Sequence, residues 1–168
     1  FKPTEVSEDL EFADLWIINE LNQSLRKVES AFDNYTYSQA KDEIDQLFWS
    51  KFADYYLEFI KYRLAGNDEK SKKAARYTLT KVFLAIIKMY APILPFITEE
   101  LYQLIYKDSD SKKSIHISAW PEEFKTQTTN DISDFSQAIT AIDEIRKYKS
   151  GNDMSLGFEL EEYELKTK

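Results

Sequence analysis

Residues 36–68 read TYSQAKDEIDQLFWSKFADYYLEFIKYRLAGND, and the period of this stretch decides the fold. Apolar side chains recur at Ala40, Ile44, Leu47, Phe48, Phe52, Tyr55, Phe59 and Tyr62, mostly three or four apart, which is the period of a long helix. Thr36-Tyr37-Ser38-Gln39 has the form of a capping box, in which the Thr hydroxyl and the Gln side chain satisfy each other's first-turn amides. Gly66-Asn67-Asp68 ends the run, because glycine tolerates the left-handed backbone that a helix end often needs.

Helical periods flank this stretch on both sides. Before it, Leu10, Ala13, Ile17, Leu21, Val28, Ala31 and Tyr35 define an apolar stripe, with Glu11, Asp14, Asn22, Arg26 and Lys27 on the polar face and Ser7 as the candidate cap. After it, Ala75, Leu79, Val82, Phe83, Ile86 and Tyr90 form a third stripe, closed at Ala91-Pro92 because the residue before a proline leaves the helical region. Pro95 suits the first position of a fourth helix, with Ile97, Leu101, Leu104 and Ile105 expected to face inward. Four helices joined by short connections predict a mainly α, up-down four-helix bundle.

The texture changes after Tyr106. Residues 107–113 are polar, and Ile115-His116-Ile117 reads as a short extended strand or strap ending at Trp120-Pro121. Phe135, Ala138, Ile139, Ile142 and Ile145 make a fifth helical stripe that ends near Gly151. Phe158, Leu160, Tyr163 and Leu165 alternate among glutamates as an edge strand, which needs a partner, either Ile115–Ile117 or a segment beyond the chain. The expected division is therefore a bundle with its strap over residues 1–125 and a small α+β extension over residues 126–168. The chain opens on Phe1, not Met, and reads as a piece of something longer.

Composition narrows the function classes. Of 168 residues 43% are hydrophobic and 15% aromatic, enough for a real core. The 22 Lys+Arg against 30 Asp+Glu give a net charge of −8, which argues against a DNA or membrane partner for the chain as a whole. With no cysteine there is no disulfide, thiolate metal site or Cys nucleophile, and His116 is the lone histidine. No apolar run approaches the roughly 20 residues that span a bilayer, and no secretory signal is visible. The expected location is cytoplasmic.

Signals for catalysis are lacking. There is no Gly-x-Gly-x-x-Gly, no phosphate-binding loop and no nucleophile turn of the Gly-x-Ser-x-Gly type. Glu99 and Glu100 are followed by no Glu-x-x-His histidine and read as first-turn acids complementing the helix dipole after Pro95. His116 alternates with two isoleucines and has no neighbour to orient it, and the tail glutamates read as a solvated strand face. The expected chain is non-catalytic and holds no cofactor.

Two features are left for binding. Between Tyr37 and Tyr62 lie Phe48, Trp49, Phe52, Tyr55, Tyr56 and Phe59, a density that fits either a base-stacking platform or a ring filling the core. Spacing puts Phe48, Phe52, Tyr55 and Phe59 in the core and leaves Trp49, Tyr56 and Tyr62 beside the stripe. Between Lys61 and Tyr90 eight cations (Lys61, Arg63, Lys70, Lys72, Lys73, Arg76, Lys81, Lys88) meet two acids, Asp68 and Glu69, so this window is +6 and the remainder −14. A basic edge on an acidic body suits a local phosphate contact, and a solvated helix face reads equally well from composition alone.

Phe48-Trp49-Ser50-Lys51-Phe52-Ala53-Asp54-Tyr55-Tyr56-Leu57-Glu58, followed by Lys61 and Arg63-Leu64, resembles the second bundle helix of valyl-type class Ia aminoacyl-tRNA synthetases. Ala91-Pro92-Ile93-Leu94-Pro95-Phe96-Ile97-Thr98-Glu99-Glu100-Leu101-Tyr102 resembles the proline-flanked turn that the valyl, isoleucyl and leucyl members share, and residues 114–121 the strap after it. Ile145-Arg146-Lys147-Tyr148-Lys149-Ser150 and Met154-Ser155-Leu156 are similar to the valyl branch in particular. The resemblance covers nearly the whole chain in order. It implies an anticodon-binding bundle that docks the anticodon stem-loop of tRNA(Val), while a catalytic core of the same polypeptide, absent here, uses ATP and Mg. Neither the His-Ile-Gly-His nor the Lys-Met-Ser-Lys-Ser signature of that core occurs; Lys70-Ser71-Lys72-Lys73 opens a bundle helix instead.

The departures matter. Asp14-Leu15-Trp16 and Asn19-Glu20-Leu21 stand where the family commonly has Asp-Arg-Trp and Ser-Arg-Leu, losing two cations. Tyr62 replaces a common proline, and Ala91 a usual histidine. The family's Trp-Asn…Arg-Phe segment, part of its anticodon-facing surface, would lie before Phe1. Lys61, Arg63, Lys72, Lys73 and Arg76 are the candidate phosphate or base contacts, with Tyr62 as a stacking residue. Two other readings stay open: a bundle that braces its parent enzyme through protein contacts, and the equivalent domain of an isoleucyl or leucyl enzyme.

Overall fold

The computed structural model describes residues 10–109, 112–125, 130–155 and 157–160. Helix α1 spans Phe12–Asp33; a second long helix follows as α2 (Tyr37–Asp45), a π-helical stretch (Gln46–Tyr56) and α3 (Leu57–Ala65). Then come α4 (Glu69–Tyr90), α5 (Pro95–Ile105), a 3-10 turn (Ile115–Ile117) and α6 (Asn130–Gly151). The four expected bundle helices are all present. The chain divides into two compact units, Phe1–Gln127 and Thr128–Lys168.

The core of the first unit is built from α1, the second helix and α4. Ile17, Ile18, Leu21, Leu25 and Val28 of α1 meet Ile44, Leu47, Tyr56 and Ile60 of the second helix and Val82, Ile86 and Met89 of α4, all buried. Each such aliphatic side chain contributes about 1.5–3 kcal/mol when removed from water. In the π-helical stretch the backbone bonds reach one residue further than in an α-helix, so the helix is wider and its faces drift. Phe48, Phe52 and Tyr56 line up at a spacing of four, with stacked rings 6.2 Å and 5.9 Å apart, and Phe83 of α4 stacks on Phe52 at 6.0 Å. The drift corrects the expected stripe: Tyr56 is 0% exposed instead of lying beside it. Phe48 and Phe59 are only half-buried.

The helix ends differ from the sequence expectations in their chemistry. Ser7 lies outside the described residues; at the start of α1 the Glu11 N–H donates to Asp14 Oδ2 at 3.0 Å. The capping box at Thr36 does not form, because its hydroxyl donates backward to the Ala31 carbonyl at 3.1 Å. There α1 closes in a Schellman motif, with the Thr36 N–H on Ala31 O and the Tyr35 N–H on Phe32 O. The left-handed position is held by Tyr35 at φ 57°. Gly66 is extended, not left-handed, at φ −68° and ψ −171°. An added Cβ there would lie 3.1 Å from the Tyr62 carbonyl oxygen, so close approach of the chain explains the glycine. Asp68 starts α4, its carboxylate accepting from the N–H groups of Lys70 and Ser71.

Helix α5 is tied to α4 by tyrosines. Tyr102 and Tyr106 are buried with Ile87, Ala91 and Ile115, and the Tyr106 hydroxyl donates to the Thr80 carbonyl at 2.9 Å. Thr98 is the other buried residue of this helix, so the expected inward set is corrected: Ile97 and Leu104 face solvent, while Leu101 and Ile105 pack at the edge of the cluster. Ile115-His116-Ile117 forms the 3-10 turn, not a strand. Among the described residues no strand occurs, and Phe158–Leu160 is irregular; Tyr163 and Leu165 lie outside them.

Candidate nucleic-acid interface

The corner where α3 runs into α4 is organised by a buried polar cluster. Asp14 of α1 is fully buried, and one of its carboxylate oxygens accepts from Arg63 Nη2 at 2.8 Å while the other accepts from the Tyr56 hydroxyl at 2.7 Å. The side chain of Arg63 is 2% exposed. Its Nε donates to Ser71 Oγ at 2.9 Å and lies 3.3 Å from Glu11 Oε1, and Nη2 also reaches the Ser71 carbonyl at 3.1 Å. The Ser71 hydroxyl in turn donates to Glu11. Three helix ends are thereby bound to one guanidinium. Burial pushes the Arg63 guanidinium down, but its bonds to Asp14 and the nearby Glu11 outweigh this and hold it above its ordinary value. Burial, then the Asp14 charge, pushes the Tyr56 hydroxyl far up, so it remains a donor.

This geometry sorts the six candidate contacts. Arg63 lies inside the bundle, and a contact with a nucleic acid from that position is corrected: its charge faces Asp14. Its neighbours Lys61 and Tyr62 are turned outward by the helical rotation, Tyr62 to 69% exposure, with Lys61 paired to Glu58 one turn back. On the first turns of α4, Lys73 and Arg76 are exposed, and Lys72 lies half-buried with its ammonium 2.7 Å from Glu69. The bond from Lys72, reinforced by the charges of Lys72 and Arg76, holds the Glu69 carboxyl below its usual range. The surface is therefore a cationic edge on a rigid inner frame. Asp14, Glu11 and Ser71 were not among the sequence candidates, although Asp14 continues the buried line Ile18, Leu21, Leu25 and Val28 at helical spacing.

Two expectations elsewhere resolve as scaffolding. Glu99 sits past the first turn of α5 and accepts from Gln103, the Ser114 hydroxyl and the Ile115 N–H at 2.6, 2.8 and 3.0 Å, fastening the 3-10 turn instead of serving the dipole. Burial pushes its carboxyl up, but those three bonds and nearby His116 more than reverse this, leaving it below its usual value. His116 Nε2 is 3.2 Å from the Pro95 carbonyl oxygen and 4.0 Å from Glu99. Among the described residues no three His, Cys, Asp or Glu side chains are grouped to hold a metal ion. No described helix is long and apolar enough to cross a membrane.

Residues 14–164 match the family model described as the anticodon-binding domain of tRNA ligase. The chain is 38% identical over 156 residues to the valine–tRNA ligase of Thermoplasma volcanium, covering 90% of this chain and 19% of that protein. It is 32% identical to the valine–tRNA ligase of Pyrococcus abyssi over 91% of this chain and 17% of that one. Against the valine–tRNA ligase of Thermococcus kodakarensis the identity is 31%, over 95% of this chain and 18% of the relative. The chain thus spans less than a fifth of the length of these curated relatives.

Proposed function

Because the chain belongs to the anticodon-binding domain family of tRNA ligases, we propose that it docks the anticodon stem-loop of a valine tRNA for aminoacylation elsewhere in a longer polypeptide. The carrying observation is the family match over residues 14–164, together with valine enzymes as the relatives described above. In this reading Lys61, Lys72, Lys73 and Arg76 supply phosphate or base contacts and Tyr62 stacks on an unpaired base, a role that its exposure supports. The chain itself performs no catalysis and carries no cofactor. ATP and Mg belong to the catalytic core, the working location is the cytoplasm, and neither DNA nor a membrane is a partner.

That core is also the second partner. The outward side of α5, with Phe96 90% and Leu104 73% exposed, supports a protein contact there alongside tRNA docking.

The test is a titration of the 168-residue chain with a hairpin RNA carrying a valine anticodon, and with the same hairpin changed at the central anticodon base, each at two salt concentrations. Phosphate contacts alone give salt-sensitive but sequence-blind binding. The expected result is tighter binding of the valine hairpin, with charge reversal at Lys72, Lys73 and Arg76 weakening binding and flattening its salt dependence. Equal affinity for both hairpins counts against autonomous anticodon reading and in favour of the bracing role.

A further inference from the structure

Between Lys70 and Thr98 there is no Asp or Glu, while Lys70, Lys72, Lys73, Arg76, Lys81 and Lys88 all fall there, in a chain whose net charge is −8. The later part of this stretch borders a groove. Tyr77, Lys81, Leu84 and Lys88 recur at spacings of four, three and four, so they share one face of α4. That face forms one wall of a groove of about 470 Å³, whose other wall is the segment from Ala119 to Lys125. Lys81 lies about 12 Å along α4 from Lys73, at 1.5 Å of rise per residue.

The second wall is fixed in place. The Asn22 side-chain amide donates to the Phe124 carbonyl and its oxygen accepts from the Phe124 N–H, both at 2.9 Å. Arg26 pairs with Glu123 at 2.6 Å, and Trp120 packs edge-on against Phe32 with ring centroids 5.8 Å apart. The backbone of this wall is therefore already ordered before a ligand enters. Its lining combines three cations, Lys81, Lys88 and Lys125, with three aromatic rings, Tyr77, Trp120 and Phe124. The carboxylates present are Glu122 and Glu123, and Glu123 is already engaged by Arg26. The Lys81 ammonium lies 6.0 Å from the centroid of the Tyr77 ring, so cation and ring share one surface of the groove.

We propose that this groove binds one unpaired nucleotide of RNA, its base against Tyr77 and Trp120 and its flanking phosphates on Lys81 and Lys88. A base offers flat apolar faces to the rings and acceptor atoms at its edge, while the phosphates match the cations. The volume lies within the range of sites for small organic ligands. A base-paired stem would meet the lysines through its backbone but has no free base to fill an aromatic floor. The inference rests on the RNA-binding reading above and adds to it a contact beyond the α3–α4 corner.

The experiment uses the complete 168-residue chain and fluorescence anisotropy with two probes, a labelled oligouridylate and a blunt RNA duplex. The oligouridylate is expected to bind. Tyr77→Leu should weaken it about tenfold, the loss of one stacked base, with the duplex unaffected. Lys81→Gln combined with Lys88→Gln should lower the single-strand salt slope by about 1.4, two phosphate contacts. Thermal melts by circular dichroism verify that each variant is folded. Failure of the wild type to bind oligouridylate, or an unchanged affinity in Tyr77→Leu, overturns the proposal. Equal losses on duplex and single strand also overturn it, by assigning the groove to backbone contact alone. Oligouridylate contains no anticodon loop, so these outcomes leave the hairpin preference to stand or fall by itself.

Discussion

At the α3–α4 corner a charged pair, Arg63 and Asp14, lies inside the bundle, whereas on α5 the apolar Phe96, Ile97 and Leu104 lie outside it. Both regions depart from the usual sorting of polar and apolar side chains, in opposite directions. At the corner the departure is compensated within the chain: both oxygens of the Asp14 carboxylate accept a hydrogen bond, and Arg63 reaches two other helices. On α5 Phe96, Ile97 and Leu104 stay exposed among the described residues of the first unit, while Thr98, Tyr102 and Tyr106 face inward. The comparison separates two roles. Buried polarity here serves the frame of the domain, and exposed apolarity marks a surface where something else can sit.

The largest expected effect comes from breaking the corner. Arg63→Met leaves the Asp14 carboxylate buried without its counter-charge, and removing one partner of a buried pair typically costs about 3–5 kcal/mol. Urea unfolding of the variant should show a loss of that order. The double variant Asp14→Leu with Arg63→Met should lose much less than the sum of the two single changes, because no charge is then stranded. A loss below about 1 kcal/mol in the single variant would mean that the cluster is not what fixes the helix ends.

How far these regions were legible follows from the residues themselves. The four bundle helices were readable because their apolar periods are long and the breaks after the second and third carry Gly66 and Pro92. The direction of individual side chains was less so. Asp14 and Arg63 lie on buried lines, Asp14 with Ile18 and Leu21, Arg63 with Tyr56 and Ile60, but a charged residue on such a line reads as polar face until its partner is seen 49 positions away. In the second helix the π-helical stretch shifts the phase, which one fixed period of 3.6 cannot follow. On α5 apolar residues occupy two sides, and periodicity alone does not say which side this chain covers. Ile115–Ile117 alternates like a strand, yet two tertiary bonds, donated to the Glu99 carboxylate by the Ser114 hydroxyl and the Ile115 N–H, set its shape. At the candidate site, local charge identified the cationic edge but could not separate Arg63 from its exposed neighbours.

A smaller effect probes the inner side of α5. Glu99→Gln removes a carboxylate that accepts three hydrogen bonds at 30% side-chain exposure, and the expected cost near neutral pH is about 1 kcal/mol. The pH dependence has a definite sign. Because the folded state holds the Glu99 carboxyl below its ordinary 4.5, the stability it contributes is fully present above that pH and is lost as pH falls through the lower folded value. Unfolding midpoints of the wild type and Glu99→Gln should therefore converge as pH is lowered below about 4.5. A gap that is constant with pH, or that widens in acid, would show that the carboxylate charge plays no part in fastening the turn.

The smallest effect is expected on the outward side of the same helix, and it decides how the comparison is to be read. Leu104 is 73% exposed, so Leu104→Ser removes little buried surface, and surface substitutions of this kind usually stay within about 0.5 kcal/mol. Serine is a poorer helix former than leucine by a few tenths of a kcal/mol, which leaves the expected loss inside that window. The contrast is with Tyr102, two residues earlier and fully buried, where truncation to alanine would remove a ring and the hydroxyl that reaches the Lys112 carbonyl. Thermal or urea unfolding of the 168-residue chain measures both. If Leu104→Ser instead costs more than about 1 kcal/mol, Leu104 is packed within this chain, and the outward side of α5 belongs to the domain's own core. If it leaves stability unchanged, the leucine is carried at no benefit to folding, and its apolar surface is available to the protein partner proposed for that side.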